Sequence, residues 1–272
     1  APPPRRFSAA SVVIGQTHME EAEPGTSLSK FNFPRGAPAV TSDDRLFVAD
    51  NAAVKVFSNF DQGNGRTADF AMDAGGAVAA RGNKLATIAS GRVRIYNSAP
   101  TATDPDPDPD VYSSGLNDCS AEGLNSPADF HITPQGRLLV ADLLNHRVLV
   151  WHSIPESGPL GAAHLVLGQP SMTHCVPNFN FGPPSAATLN RPWAVWSDDR
   201  RVIVVDGNNH RVLIWDGLNG FPNEDFAPAT HVIGQPDFES NATNRGDQFT
   251  PSSISLMSPG SVDVSDSGQL AA

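Results

Sequence analysis

Two carboxylates, an imidazole and an indole fall into related positions of short repeated segments, where together they could hold a cation or a polar ligand. Pro127, Pro192 and Pro259 each precede such a segment, and counting from them puts His131, Trp196 and Asp263 in one register. Asp129, Ala194 and Ser261 fall two residues earlier. The intervening Phe130, Val195 and Val262 are apolar, as expected of strands with one side packed and the other facing a polar channel. Asp129, His131, Trp196 and Asp263 are therefore the channel candidates for a ligand or metal, with plain water-filled lining as the competing reading. No residue set stands out as catalytic: Gly-rich phosphate loops, cysteine pairs at zinc spacing and Gly-x-Ser-x-Gly are all missing.

The elements that would position these residues are repeats. Val13-Ile14-Gly15-Gln16, Val166-Leu167-Gly168-Gln169 and Val232-Ile233-Gly234-Gln235 are copies of one element, with weaker copies at 68–72 and 110–112. A second element recurs at 46–50, 138–142 and 202–206, each ending in Asp, with a degraded copy at 85–89. A third follows at 54–57, 92–96, 147–151 and 211–215, and a fourth, the inner segment, at 37–41, 128–132, 193–197 and 260–264. Each is short, rich in β-branched or aromatic residues and bounded by turn residues, which predicts strands. Four antiparallel strands repeated along the chain predict an all-β fold, a β-propeller of four-stranded blades. Five blades are visible, the last incomplete, with room for a sixth in a longer protein. Residues 1–272 then form one propeller domain cut short at its C-terminus, with the strand at 11–16 completing the last blade.

Asp142-Leu143-Leu144-Asn145-His146-Arg147-Val148 and Asp206-Gly207-Asn208-Asn209-His210-Arg211-Val212 share the order Asp, two residues, Asn, His, Arg, then an apolar strand. This pattern resembles the signature of NHL-repeat β-propellers. Asp50-Asn51-Ala52-Ala53-Val54 lacks the Asn-His-Arg part, and Ser90-Gly91-Arg92 keeps only the Arg. Asp142, Asn145, His146, Arg147, Asp206, Asn209, His210 and Arg211 read as structural turn residues, the Arg binding the Asp carboxylate of its own or a neighbouring blade. The resemblance also implies two enzyme classes. An amidating lyase of this family would need a three-histidine zinc cage and a catalytic tyrosine, but only His131 lies on an inner strand, and Tyr96 and Tyr112 lie on outer ones. Lactonase-like propellers imply a channel calcium, which here would depend on Asp129 and Asp263.

Four long connections, at about 17–36, 113–127, 170–192 and 236–259, should emerge on one face. They carry Phe31, Phe33, Phe179, Phe181, Phe238 and Phe249, each either a contact for a partner or an anchor of its own loop. Cys119 and Cys175, the only cysteines, lie in neighbouring long loops, where a disulfide is geometrically sensible and two thiols remain the alternative. A disulfide suits an extracellular or periplasmic protein, free or at the cell surface. With 18 Lys and Arg against 29 Asp and Glu, the net charge of −11 argues against nucleic acid as a partner. No apolar run is long enough for a transmembrane helix. The expectation is a non-catalytic scaffold that recognises a protein or glycan through its long-loop face and needs no cofactor. The alternative is a metal-dependent hydrolase or lyase using a channel calcium; the oligomeric state stays open.

Overall fold

Runs such as Leu138-Leu139-Val140-Ala141 and Val202-Ile203-Val204-Val205 are apolar at every position, so a strand made from them must be covered on both faces. A computed structural model, which describes residues 13–14, 16, 23–34, 36–50, 53–60, 63–216, 221–247, 249–264 and 270–271, has the sheets that do this. The first blade has β1 (Ala39–Val40), β2 (Arg45–Asp50), β3 (Ala53–Ser58) and β4 (Phe70–Met72) in sequential antiparallel order. The second has β5 (Val78–Arg81), β6 (Lys84–Ala89), β7 (Arg92–Tyr96) and β8 (Val111–Tyr112). In the third, β9 (Pro127–Ile132), β10 (Leu138–Asp142) and β11 (Arg147–Trp151) are followed by a short rim strand β12 (Gly158–Pro159) and the outer β13 (Leu165–Leu167). The fourth has β14 (Pro192–Ser197), β15 (Val202–Asp206), β16 (Arg211–Trp215) and β17 (His231–Ile233). A fifth shows β18 (Asp263–Val264) paired with β19 (Leu270–Ala271).

Successive inner strands touch one another, β1 with β5, β5 with β9 and β9 with β14, so the sheets fan out from a common axis. This is the all-β propeller arrangement. The period of two along each strand then builds the core. In β10, Leu138 and Val140 join Val93 and Ile95 of the second blade, while Leu139 and Ala141 join Val202 and Val204 of the fourth. A one-residue slip would exchange the two neighbours, which fixes the register strongly. Phe130, Val195 and Val262 each pack into the seam with the preceding blade.

The inner strand of the second blade lies outside the four inner segments read from the sequence, because Ala74-Gly75-Gly76-Ala77 has no proline to mark it. Outer strands are tied to the following blade. The β8 strand pairs in parallel with β12, and Phe226 N–H of the fourth blade donates to Val166 O at 3.0 Å. Val13 O accepts from Gly65 N–H of the first blade at 3.2 Å, and Ile14 bridges Arg66 in parallel. Val13 and Ile14 thus lie against the first blade as the outer strand of a preceding blade would.

Candidate functional site

The Asp and Arg of the repeated motif form two buried clamps. Arg147 Nε donates to Asp142 Oδ2 at 2.7 Å and Arg211 Nε to Asp206 Oδ2 at 2.8 Å, all four side chains having no exposure. Each guanidinium also holds loop carbonyls: Arg147 those of Ser120, Gly123 and Met172, Arg211 those of Ser185, Thr188 and Phe238. The other carboxylate oxygens accept the N–H groups of Asn125 and Asn190, at 2.6 and 2.7 Å. Every clamp therefore fastens the loop that enters its blade to the loop that leaves it. Burial pushes both carboxyls up from their ordinary range, opposed by the paired arginine and the amide donors. Asn145 and Asn209 add a hydrogen bond to the same carboxylates, at 2.9 and 2.7 Å.

The motif histidines reach onward. His146 and His210 sit in the left-handed region at φ 54 and 51, and their Nδ1 atoms accept the N–H groups of Arg191 and Ser258, the residues before the next blade's proline. An accepting Nδ1 requires a neutral ring. Burial first, and then the charge of Arg191, lower the His146 pKa to about 4. Gln169 and Gln235 complete the scheme, donating to the carbonyls of His146 and Val176 and of His210 and Ala242.

Sequence reasoning missed two parts of this network. Lys55, five residues after Asp50 as each Arg is after its Asp, pairs with Asp50 at 2.7 Å and holds Lys30 O, with 2% side-chain exposure. Asn32 and Phe33 N–H groups bind the same carboxylate, so the first blade keeps the clamp with a lysine. The spacing of Asp to a basic residue was the available signal. The second is the segment Leu124-Asn125-Ser126-Pro127, repeated as Leu189-Asn190-Arg191-Pro192 and Phe31-Asn32-Phe33-Pro34. Phe31-Asn32-Phe33 is therefore a blade-mouth segment, whereas Phe179-Asn180-Phe181 lies in mid-loop on a turn of positive φ. The two are not copies of one anchor.

These differences sort the aromatic residues. Phe31 packs on Phe57, ring centroids 6.0 Å apart, beneath the Lys55 ammonium, and Phe238 packs against the seam between the third and fourth blades. Phe179 leans on His174 and Phe226. Phe33, Phe181 and Phe249 are 59%, 79% and 88% exposed, and Ile254 and Met257 are also exposed in the loop of Phe249. Cys119 and Cys175 form a disulfide with Cα atoms 6.0 Å apart, linking the loops before and after the third blade.

The starts of five inner strands meet around a cavity of about 570 Å³ at the channel mouth. Its wall includes Phe33, Ala77, Asp129, Trp193, Ala194 and Ser261. As each long loop ends at one of these strand starts, the cavity opens on the long-loop face. Asp129 Oδ2 accepts the N–H of Val195, from the free edge of the neighbouring inner strand, at 3.0 Å. Burial raises the Asp129 pKa to about 6, against the pull of the amide donors. Trp193 is admitted by Gly207, where a Cβ would stand 2.1 Å from the indole Cδ1. In the third blade the corresponding residues are Ala128 and Leu143, so the bulky side chain comes from the other of the two positions.

Of the four channel candidates, Asp129 lines this cavity, while His131 meets Trp196 and feels the charge of Asp263. His131 lies two residues further along β9 with its ring 5.9 Å from that of Trp196, and burial lowers its pKa. Asp263 is exposed on the fifth blade and accepts from its neighbour Val264 N–H. Among the described residues no three His, Cys, Asp or Glu side chains group as metal ligands. Among the same residues no helix is long and apolar enough to cross a membrane.

No family model matches the chain, and no curated protein does. Solved structures similar to it include a Bacteroides caccae protein of unknown function, 12% identical with TM-score 0.41, over 72% of this chain and 59% of that one. Another is Kluyveromyces lactis Hsv2, 10% identical with TM-score 0.39, over 66% of this chain and 48% of that one. KlHsv2 with loop 6CD replaced by a Gly-Ser linker gives 10% identity and TM-score 0.39, over 70% and 52%. The chain thus spans about half to three fifths of the length of the structures it resembles.

Proposed function

We propose that this chain is an NHL-like recognition propeller, extracellular or periplasmic, that binds a protein or glycan through its long-loop face without catalysing a reaction. The observation that carries this reading is the exposure of Phe181 and Phe249 on loops whose bases are held by buried clamps. A large apolar side chain displayed on a rigid base loses little entropy on binding, as hot-spot residues require. The left-handed turn at 178–181 adds to this, since four consecutive residues with φ from 50 to 61 hold the two phenylalanines in an unfavourable backbone. The disulfide between Cys119 and Cys175 supports an oxidising compartment.

The test is binding of natively purified protein to a surface-glycan array and to proteins of the same compartment, with Phe181→Ser/Phe249→Ser as the comparison. Loss of a specific interaction in the double variant, with its unfolding midpoint unchanged, would support the reading. An interaction that survives the substitutions intact would remove the loop face from the account.

A further inference from the structure

We propose that the channel-mouth cavity receives a basic side chain, a lysine ammonium or an arginine guanidinium, presented by a partner protein. This inference rests on the loop-face reading and names what that face selects. The cavity wall is small and apolar over most of its extent. At the strand position occupied by Asp129 in the third blade, the fourth and fifth have Ala194 and Ser261, and Ala77 lines the wall from the second. One carboxylate among such neighbours is a departure from the repeat, and the repeat itself does not need it.

Asp129 has structural contacts, the Val195 N–H on Oδ2 at 3.0 Å and the backbone N–H of Phe130, but both donors are neutral amides. Among the described residues no Lys, Arg or His nitrogen lies within ion-pair distance of it, whereas the clamp carboxylates Asp50, Asp142 and Asp206 each have a cation at 2.7 to 2.8 Å. A part-buried carboxylate lacking a cation is costly, and an incoming ammonium or guanidinium would relieve that cost with a charge-assisted hydrogen bond. Trp193, 40% exposed, stands in the same wall. Aromatic faces beside a carboxylate stabilise a cation and cover the methylene stem that carries it. The net charge of −11 favours a basic partner at long range as well.

The probes are the tripeptide acetyl-Gly-Lys-Gly-amide and the same peptide with norleucine, titrated into the intact chain and followed by peptide NMR line broadening. The lysine peptide should bind about tenfold more tightly than its isostere, the gain expected of one charge-assisted contact. Asp129→Asn, whose amide oxygen can still accept the Val195 N–H, should abolish that preference, and Asp129→Glu should keep it. Should Asp129→Asn fail to fold, the lysine-to-norleucine ratio of the unaltered protein still decides the matter. Equal binding of the two peptides, or binding of neither at millimolar concentration, would overturn the proposal. Either outcome leaves the loop-face reading to be judged by Phe181→Ser/Phe249→Ser, which does not touch Asp129. Partner binding that survives intact in that double variant while the lysine preference persists would sink the broader reading alone.

Discussion

The fourth blade and the second follow the same four-strand plan and hold their connections in opposite ways. In the fourth, Asp206 and Arg211 bracket a four-residue turn and bind two long loops from a site with no solvent contact. In the second, Ala89 pairs directly with Arg92 across the two-residue turn Ser90-Gly91, no carboxylate precedes the turn, and Arg92 is exposed. The difference follows from the chain entering each blade. The second is reached from β4 by the five residues 73–77, too few to wander. The fourth is reached through more than twenty residues after β13, and without internal anchors such a loop would gain little from ordering. The motif marks blades whose loops need fastening, which is why it is strong in two blades and changed or missing in two others.

The largest effect should come from breaking the clamp where it is buried. Arg211→Met leaves Asp206 as an uncompensated charge and should cost about 3–5 kcal/mol in urea unfolding, while Arg92→Met should change stability by under about 0.5 kcal/mol. Equal losses at the two positions would mean that the comparison misreads the motif. The Cys119–Cys175 bridge spans 56 residues and fastens the loops around the third blade from outside the clamp. Cys119→Ser/Cys175→Ser should therefore cost about 2–4 kcal/mol. Unfolding midpoints with and without reductant check this, and only the disulfide form should respond.

Much of this plan was legible because packing between blades demands apolar residues at a fixed period. Leu138 to Ala141 and Val202 to Val205 announce buried strands by composition alone, and the prolines at 127, 192 and 259 mark where inner strands begin. The Asp and Arg pairing was legible from spacing, and the disulfide from two cysteines in neighbouring loops. Other features depend on contacts that no local pattern encodes. Lys55 keeps the arginine's spacing of five from its Asp, but it lies two strand positions beyond the arginine's place, so that only the structure shows it reaching back to Asp50. The cavity was half visible: Asp129 stood out by register, but Trp193 reads as an ordinary strand residue until Gly207 is seen beside it. Asp263, grouped with Asp129 and His131 by counting, is exposed on the inner strand of the fifth blade, and its charge is felt by His131.

The exchange of bulk between the third and fourth blades gives a smaller and sharper test. Gly207 leaves room for the Trp193 indole, whereas the third blade has Leu143 and Ala128 at the corresponding positions of the cavity wall. Gly207→Leu forces the ring away and should cost about 1–3 kcal/mol, as overpacked contacts do. Adding Trp193→Ala recreates the third blade's pair and should recover most of that loss. A double variant no more stable than the single one would show that the two positions are not coupled.

The smallest effects are electrostatic, and their opposite signs separate Asp129 from His146. The folded pKa of His146 is about 4, below the 6.5 of the free side chain, so the unfolded chain takes up the proton first as pH falls. The stability His146 contributes is complete above pH 6.5 and is lost as pH falls toward 4. For Asp129 the folded value of about 6 lies above 3.8, so here the native state takes up the proton first. Its ionised form weighs against folding above pH 6, and that burden disappears as pH falls through 6 toward 3.8. Asp129→Asn removes the charge and keeps an acceptor for Val195. It should therefore raise stability at pH 7 by about 1–2 kcal/mol after allowance for partial solvent contact, and by nothing near pH 4. Urea titrations of both proteins from pH 4 to 8 would reveal this as two curves that converge on the acid side. Curves that stay parallel would mean that the Asp129 carboxylate is already satisfied, and the cavity would then have no use for a cation.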